Sequence, residues 1–209
     1  MLKVGLTGGV ACGKTTIMRL FAARGAHIMF ADEVAHDLMR PGHSVYEAVV
    51  ERFGREILNA DGIINRPRLA ALAFPGRIKE LNALVHPAVI AFQDRWMQEI
   101  GERDPHAIAI VEAALLVEAG AHTHFDKVIA VVCDLGQKVR RFAERQQLSL
   151  NEAAEEVRRR MAAQISDVEK AHVADYVIDN SGTVQQAETQ VARIWQELTM
   201  AKAAGHEPA

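Results

Sequence analysis

Leu2-Lys3-Val4-Gly5-Leu6-Thr7-Gly8-Gly9-Val10-Ala11-Cys12-Gly13-Lys14-Thr15-Thr16 decides the fold. Leu2–Thr7 is an apolar run that suits a buried strand. A glycine loop follows, and then Thr16–Arg24, where Ile17, Leu20 and Phe21 have helical spacing. Gly8–Thr15 fits G-x-x-x-x-G-K-[ST], the phosphate-binding P-loop, in the strand–loop–helix setting that this motif requires. With Gly at about 7% of residues in an average protein, a chance match is on the order of 1%. Each residue type has a physical task. Glycines let backbone N–H groups close around phosphate oxygens, and the helix N-terminus adds its positive end. Lys14 can reach the β- and γ-phosphates, and Thr15 can ligate Mg²⁺ through its hydroxyl. Cys12 inside the loop is either a small filler or a thiol activated by the helix N-terminus.

Four further apolar runs extend this unit: Ala26–Phe30, Ala107–Val111, Lys127–Cys133 and Tyr176–Ile178. The run Val128-Ile129-Ala130-Val131-Val132 suits a strand buried on both faces, as in a parallel sheet. Helical patterns lie between the runs. Val85, Val89, Phe92, Trp96 and Ile100 line one predicted helix face, and Val184, Ala187, Val191, Ile194 and Leu198 another. The alternation predicts an α/β fold, a five-stranded parallel sheet flanked by helices. Residues 33–105 hold no strand signal and read as a helical insertion, with Pro67 placed for a first helical turn and Pro75-Gly76 ending that segment. Residues 135–170 are rich in charge and read as a helical hairpin, its arginines available for surface pairs with Glu144 and Glu155. The expected core is about 1–32, 106–134 and 171–200, with 201–209 a flexible tail.

Composition narrows the function. The chain has 209 residues, 49% hydrophobic and 24% charged, enough apolar mass for a core. Its 24 Lys+Arg against 27 Asp+Glu leave a net −3, which argues against a nucleic-acid partner. The two cysteines, Cys12 and Cys133, exclude a disulfide framework and fit a reducing, cytoplasmic compartment. No apolar run is long enough to span a membrane, and no secretory leader is apparent. No Asn-Lys-x-Asp guanine-reading motif occurs, which weakens a GTPase reading.

Asp32 follows the second strand run and belongs at the carboxyl end of the sheet, where ligands of open α/β folds bind. There it can accept or orient a hydroxyl proton, or equally cap a helix starting near Glu33. Glu112 and Glu118, after the third run, can work through a Mg²⁺-bound water or merely end a strand. His122 and His124, two apart with no nearby cysteine, cannot complete a tetrahedral metal site locally. Arg141 and Arg145, four apart, project from one helix face.

These residues together resemble the dephospho-coenzyme A kinases. The resemblance is carried by Thr7–Thr16, by Ala31-Asp32 with Arg40-Pro41-Gly42, and by Leu81-Asn82-Ala83-Leu84-Val85-His86-Pro87. It continues through Leu115-Leu116-Val117-Glu118, Arg141-x-x-x-Arg145, Arg160-Met161-Ala162-Ala163-Gln164 and Ala174–Gly182. It runs in order from about residue 3 to about residue 198. It implies ATP-dependent phosphorylation of the ribose 3′-hydroxyl of dephospho-CoA, with Mg²⁺, by a monomer or weak homo-oligomer. It implies an acceptor region over 33–105 and a lid over 135–170. It implies ATP contacts from Gly9, Val10, Ala11, Cys12, Gly13, Lys14, Thr15, Thr16, Arg141 and Arg145, and acceptor contacts from Thr7, Asp32, His86, Leu115 and Leu116. Lys14, Asp32 and Arg141 are the implied catalytic residues; His86, on spacing alone, reads as a helix start before Pro87. The chain departs from the pattern at Phe30, Glu112 and Ala114, where the family usually has Asp, Asp and Pro. Two other readings fit the P-loop: a kinase for another small acceptor, such as a nucleoside monophosphate, and an ATP-hydrolysing regulatory switch.

Overall fold

The computed structural model describes residues 1–74 and 76–204, with the backbone alone for 201–204. β1 (Leu2–Gly8) enters the P-loop, and α1 (Lys14–Ala22) leaves it. β2 (His27–Phe30), α2 (Ala31–Leu38), α3 (Ser44–Phe53), α4 (Arg66–Ala73) and α5 (Ile78–Arg103) follow. Next come β3 (Ile108–Glu112), β4 (Lys127–Val132), α6 (Leu135–Gln146), α7 (Leu150–Ala162), α8 (Asp167–Val173), β5 (Tyr176–Asp179) and α9 (Val184–Ala204). Each strand falls on one of the five apolar runs, with no end shifted by more than one residue.

The sheet order is β2-β3-β1-β4-β5. β1 pairs in parallel with β3 on one side (Val4 opposite Ile110) and β4 on the other (Leu6 opposite Ile129), and β4 pairs in parallel with β5 (Val131 opposite Ile178). β1, β3 and β4 are therefore interior strands. That is why they read as continuous apolar runs, with Val4, Leu6, Ile110, Val111, Ile129, Ala130 and Val131 fully buried. Parallel pairing collects the strands' carboxyl ends on one edge, and the P-loop stands there at the end of β1.

Two compact units divide the chain, Met1–Met29 with Ile100–Ala209, and Phe30–Glu99. The first contains most of the sheet, α1 and α6–α9. α9 buries Ala187, Val191, Ile194 and Leu198, but Val184, expected on that face, is 58% exposed at the helix start. α9 continues to Ala204, so 201–204, expected in a tail, are helical; 205–209 lie outside the described residues. Two S-x-x-E capping boxes start the helices of the charged segment, Ser149 with Glu152 at α7 and Ser166 with Glu169 at α8.

The second unit is helical apart from a 3-10 turn at Arg55–Ile57 and one isolated bridge between Leu58 and Ile64. Val45, Val49, Phe53, Ile57, Ile64, Leu69 and Ala73 form its interior. Asn65 caps α4 by accepting from the Arg68 N–H, and Pro67 sits in the first turn, where no N–H is needed. Arg77 lies 4.4 Å over the Phe53 ring and, with Arg52, pairs with Glu80. Pro75, expected to end this segment, lies outside the described residues. α5 starts at Ile78 and carries Pro87 in its interior, so His86 is not a helix start. Both His86 and Pro87 are exposed, and on that side water can satisfy the carbonyl that the proline leaves without a donor. On the α5 face Val85, Val89 and Ile100 are buried as predicted, while Phe92 is 37% exposed and Met97 takes an interior place instead.

Candidate active site

The P-loop backbone is held in an unusual shape by its neighbours. Gly13, at the N-cap of α1, has φ 86° and ψ 26°, a left-handed conformation that glycine adopts without steric cost. Asn180, just past β5, packs on Gly13 so closely that a Cβ there would collide with its amide. The same amide donates to the Cys12 carbonyl at 2.8 Å. Ala11 is also left-handed, at φ 54°, and packs with Val10 against an apolar cluster of Phe142, Ala143, Ala153 and Val157. That cluster is the interior of the α6–α7 hairpin, so the charged 135–170 segment has an apolar underside seated on the loop.

Lys14 curls back over the loop. Its ammonium donates to the Gly8 and Gly9 carbonyls at 3.1 and 3.3 Å and lies 3.6 Å from the Glu112 carboxylate. Glu112, at the end of β3, is 7% exposed. Thr15 and Thr16 are exposed in the first turn of α1, and the Thr16 N–H donates to the Gly13 carbonyl at 3.0 Å. Arg141, on α6, aims Nη1 at the Cys12 carbonyl and the Cys133 sulfur, each at 3.4 Å. Two lysines, two hydroxyls, an arginine and a helix N-terminus thus converge on one loop. The second lysine is Lys138, whose Nζ meets Asp167 Oδ2 at 2.5 Å.

Cys12 is fully buried, and burial pushes its thiol above the ordinary range, with Lys14 opposing and Asp167 adding to the shift. It is a protonated filler of the loop, and the activated-thiol alternative does not hold. Burial also raises the Cys133 thiol. Both cysteines are unpaired.

Several expected site residues take other places. Thr7 is fully buried and gives its hydroxyl to the Ala114 carbonyl at 3.3 Å rather than presenting it outward. Leu116 packs over Gly5 at 3% exposure, and Leu115 is the exposed member of that pair. Arg145 lies exposed over the Phe142 ring, 5.5 Å from its centre, so Arg141 alone of the pair reaches the P-loop. The hairpin's surface pairs join Glu156 to Arg159 and Arg160, not Glu144 or Glu155, and hydrogen bonds from both arginines hold the Glu156 carboxyl down to about 2. Glu118 is committed to protein partners: it meets Lys170 Nζ at 2.9 Å and accepts from the Ile165 N–H. Lys170 is fully buried and also donates to the Ala114 carbonyl at 2.7 Å, bracing α8 against the loop after β3.

Asp32 and His86 belong to the helical unit. Asp32 is exposed in the first turn of α2, where its charge suits the helix dipole. The N-cap is Phe30, so Asp32 is not the cap that its spacing allowed. His122 and His124 fall on a 3-10 turn, and His122 Nδ1 is buried without a hydrogen-bond partner. Among the described residues no three His, Cys, Asp or Glu side chains converge to hold a metal on protein ligands alone. No described helix is long and apolar enough to cross a membrane.

Lys138, Asp167 and Asn180 lie against the P-loop and Lys170 against the loop after β3, places that sequence reasoning did not give them. One signal was present: Lys138 lies four residues before Phe142 and so shares the apolar face of α6.

The family model described as dephospho-CoA kinase matches residues 2–186. A dephospho-CoA kinase of Aquifex aeolicus is 35% identical over 201 residues, 95% of this chain and 98% of that protein. One of Geobacter sulfurreducens is 38% identical over 194 residues, 92% and 96% of the two chains. The crystal structure of TT1252 from Thermus thermophilus superposes with a TM-score of 0.76 at 30% identity, covering 94% of this chain and 97% of that one.

Proposed function

The chain belongs to the dephospho-CoA kinase family, and we propose that it transfers the γ-phosphoryl group of ATP to the ribose 3′-hydroxyl of dephospho-CoA, the last step of coenzyme A synthesis. The observation that carries this reading is the P-loop with Lys14 and Arg141 converging on it from α1 and α6. Little covalent chemistry is asked of the protein in such a transfer; positioning and charge stabilisation supply the rate. The P-loop N–H groups hold the phosphate chain. Lys14 exchanges its carbonyl partners for β- and γ-phosphate oxygens, and Arg141 adds a guanidinium from α6. The α6–α7 hairpin keeps water from the migrating group.

Asp32 orients the acceptor hydroxyl and takes its proton as oxygen attacks phosphorus and the bond to the bridging oxygen of ADP breaks. The 33–105 region, with His86, serves the acceptor; the exposed Leu115 is a further acceptor contact, and 135–170 is the lid. Thr15 would hold Mg²⁺, with Glu112 available through a water. When bound, that ion supplies charge neutralisation on the β- and γ-phosphates. We read the enzyme as cytoplasmic, in line with its two free thiols.

The test is a transfer assay with ATP, Mg²⁺ and dephospho-CoA, with the product located by mass and by 3′-phosphatase sensitivity. Coenzyme A as product supports the reading. Turnover with a nucleoside monophosphate and none with dephospho-CoA would replace the acceptor. ATP hydrolysis that no small acceptor changes would move the chain to the class of switches.

A further inference from the structure

Lys138 is in an expensive place. Its side chain is 2% exposed, yet it carries an ammonium that donates to one oxygen of Asp167, at 2.5 Å. A lone carboxylate seldom offsets the desolvation of a buried cation, and an apolar residue would pack the α6 face at less cost. The surroundings suggest why a charge is kept. A Cβ on Gly9 would collide with Asp167 Oδ1 and stand 3.0 Å from Lys138 Nζ, so the ammonium and its carboxylate partner both lie directly on the P-loop. Cys12, farther along the loop, also feels the charges of Lys14, Lys138 and Asp167. In both lysines the ammonium is matched to a carboxylate, Lys14 to Glu112 and Lys138 to Asp167.

We propose that Lys138 is a second phosphate-binding lysine, held by Asp167 until the phosphate chain of a nucleoside triphosphate enters and then transferred to one of its non-bridging oxygens. Asp167 is the competitor in this exchange. It reserves the ammonium, keeps it aimed at Gly9, and gives it up to a ligand of higher charge. The inference rests on the reading that the loop binds ATP; it does not depend on which acceptor is phosphorylated.

The competing role is a plain latch joining α6 to α8, and opposite variants separate the two. ATP affinity is measured by calorimetry on the full chain without acceptor, alongside melting temperature. Lys138→Met should lose about ten- to a hundred-fold in ATP affinity, the weight of one charge-assisted hydrogen bond. Asp167→Asn breaks the same pair but frees the lysine, so it should bind ATP as tightly as the parent or several-fold more tightly. A latch predicts that both variants weaken ATP alike, or that neither does, and either result overturns the proposal. Should Lys138→Met fail to fold, Lys138→Gln takes its place in the same comparison, and weaker ATP binding in Asp167→Asn contradicts a competitor role by itself. A parent chain that binds no ATP would remove the nucleotide reading itself, a failure distinct from the variant pattern.

Discussion

The side-chain amide of Asn180 donates to the carbonyl of Cys12 across 168 positions of sequence, at 2.8 Å and with Asn180 only 4% exposed. The turn after the last strand therefore holds the loop after the first. The next residue extends the tie: Ser181 Oγ accepts from the Asp134 N–H at 2.9 Å, and the Ser181 carbonyl accepts from Gln137 Nε2 at 2.9 Å, so the start of α6 is fastened to the same turn. Asn180→Ala removes the shorter of two hydrogen bonds to the Cys12 carbonyl and leaves it only Arg141 Nη1, at 3.4 Å, which costs about 1 kcal/mol. The expected result is a lower denaturant midpoint together with weaker ATP binding. Unchanged ATP affinity in a destabilised variant would limit Asn180 to a structural tie.

Lys14→Ala should fold and lose most of its kcat. The side chain is mobile in role: carbonyl oxygens of Gly8 and Gly9 hold it here, and these are weaker partners than phosphate. A loss of about 10²–10³ in kcat matches the removal of one preorganised donor from a developing charge. Stopped-flow or steady-state transfer rates with circular dichroism as a folding control check this. Near-normal kcat in a folded variant would sink the P-loop assignment.

Asp32→Asn should lower kcat by about 10²–10⁴, the usual range for general-base help, with ATP affinity little changed. Since Phe30 and not Asp32 is the N-cap of α2, the substitution should cost little stability. Full activity with a marked fall in Tm would point to a helix-dipole role instead.

Arg141 and Arg145 should differ, because Arg141 Nη1 is aimed at the Cys12 carbonyl and Arg145 rests on Phe142. Arg141→Ala is expected to lose about 10²–10³ in kcat. Arg145→Ala should lose less than tenfold. Limited proteolysis gives an independent reading: cleavage within 135–170 should slow when ATP and dephospho-CoA are both present. Equal losses in the two variants and ligand-independent cleavage would remove Arg141 from a special role.

Asp175 sets an acid limit. Burial tends to raise its carboxyl, but hydrogen bonds from Lys127 Nζ and the Val128 N–H, each 2.8 Å, win and hold it below the ordinary 3.8. A folded-state value below the unfolded one adds stability above the ordinary value, and that stability is lost as pH falls through the depressed one. Asp175→Asn should therefore melt below the parent near pH 7, and the gap should close as pH drops below about 4. A gap that stays constant with pH would show that the pair contributes by packing alone.

Much of the fold was legible in order along the chain. Interior parallel strands must be apolar on both faces, so β1, β3 and β4 announced themselves, and the loop after β1 carried its glycines because a phosphate cradle demands left-handed and close-approach backbone. Helix faces were legible where the 3.6 period met a core, as at Val85, Val89, Val191 and Ile194. The sequence by itself thus determined the α/β class, the P-loop and the family. Which charges serve the site was decided only by tertiary structure. Lys138, Arg145, Arg160 and Lys170 look alike in a charge-rich stretch, but folding buries Lys138 and Lys170 and leaves Arg145 and Arg160 on the hairpin surface. Thr7 and Leu116 likewise stand inside motifs that suggest contact with substrate, yet packing turns both inward. A side chain's charge and reach are written in its residue type; its partner and its exposure depend on contacts distant in sequence, which only the assembled sheet and helices bring within hydrogen-bond range.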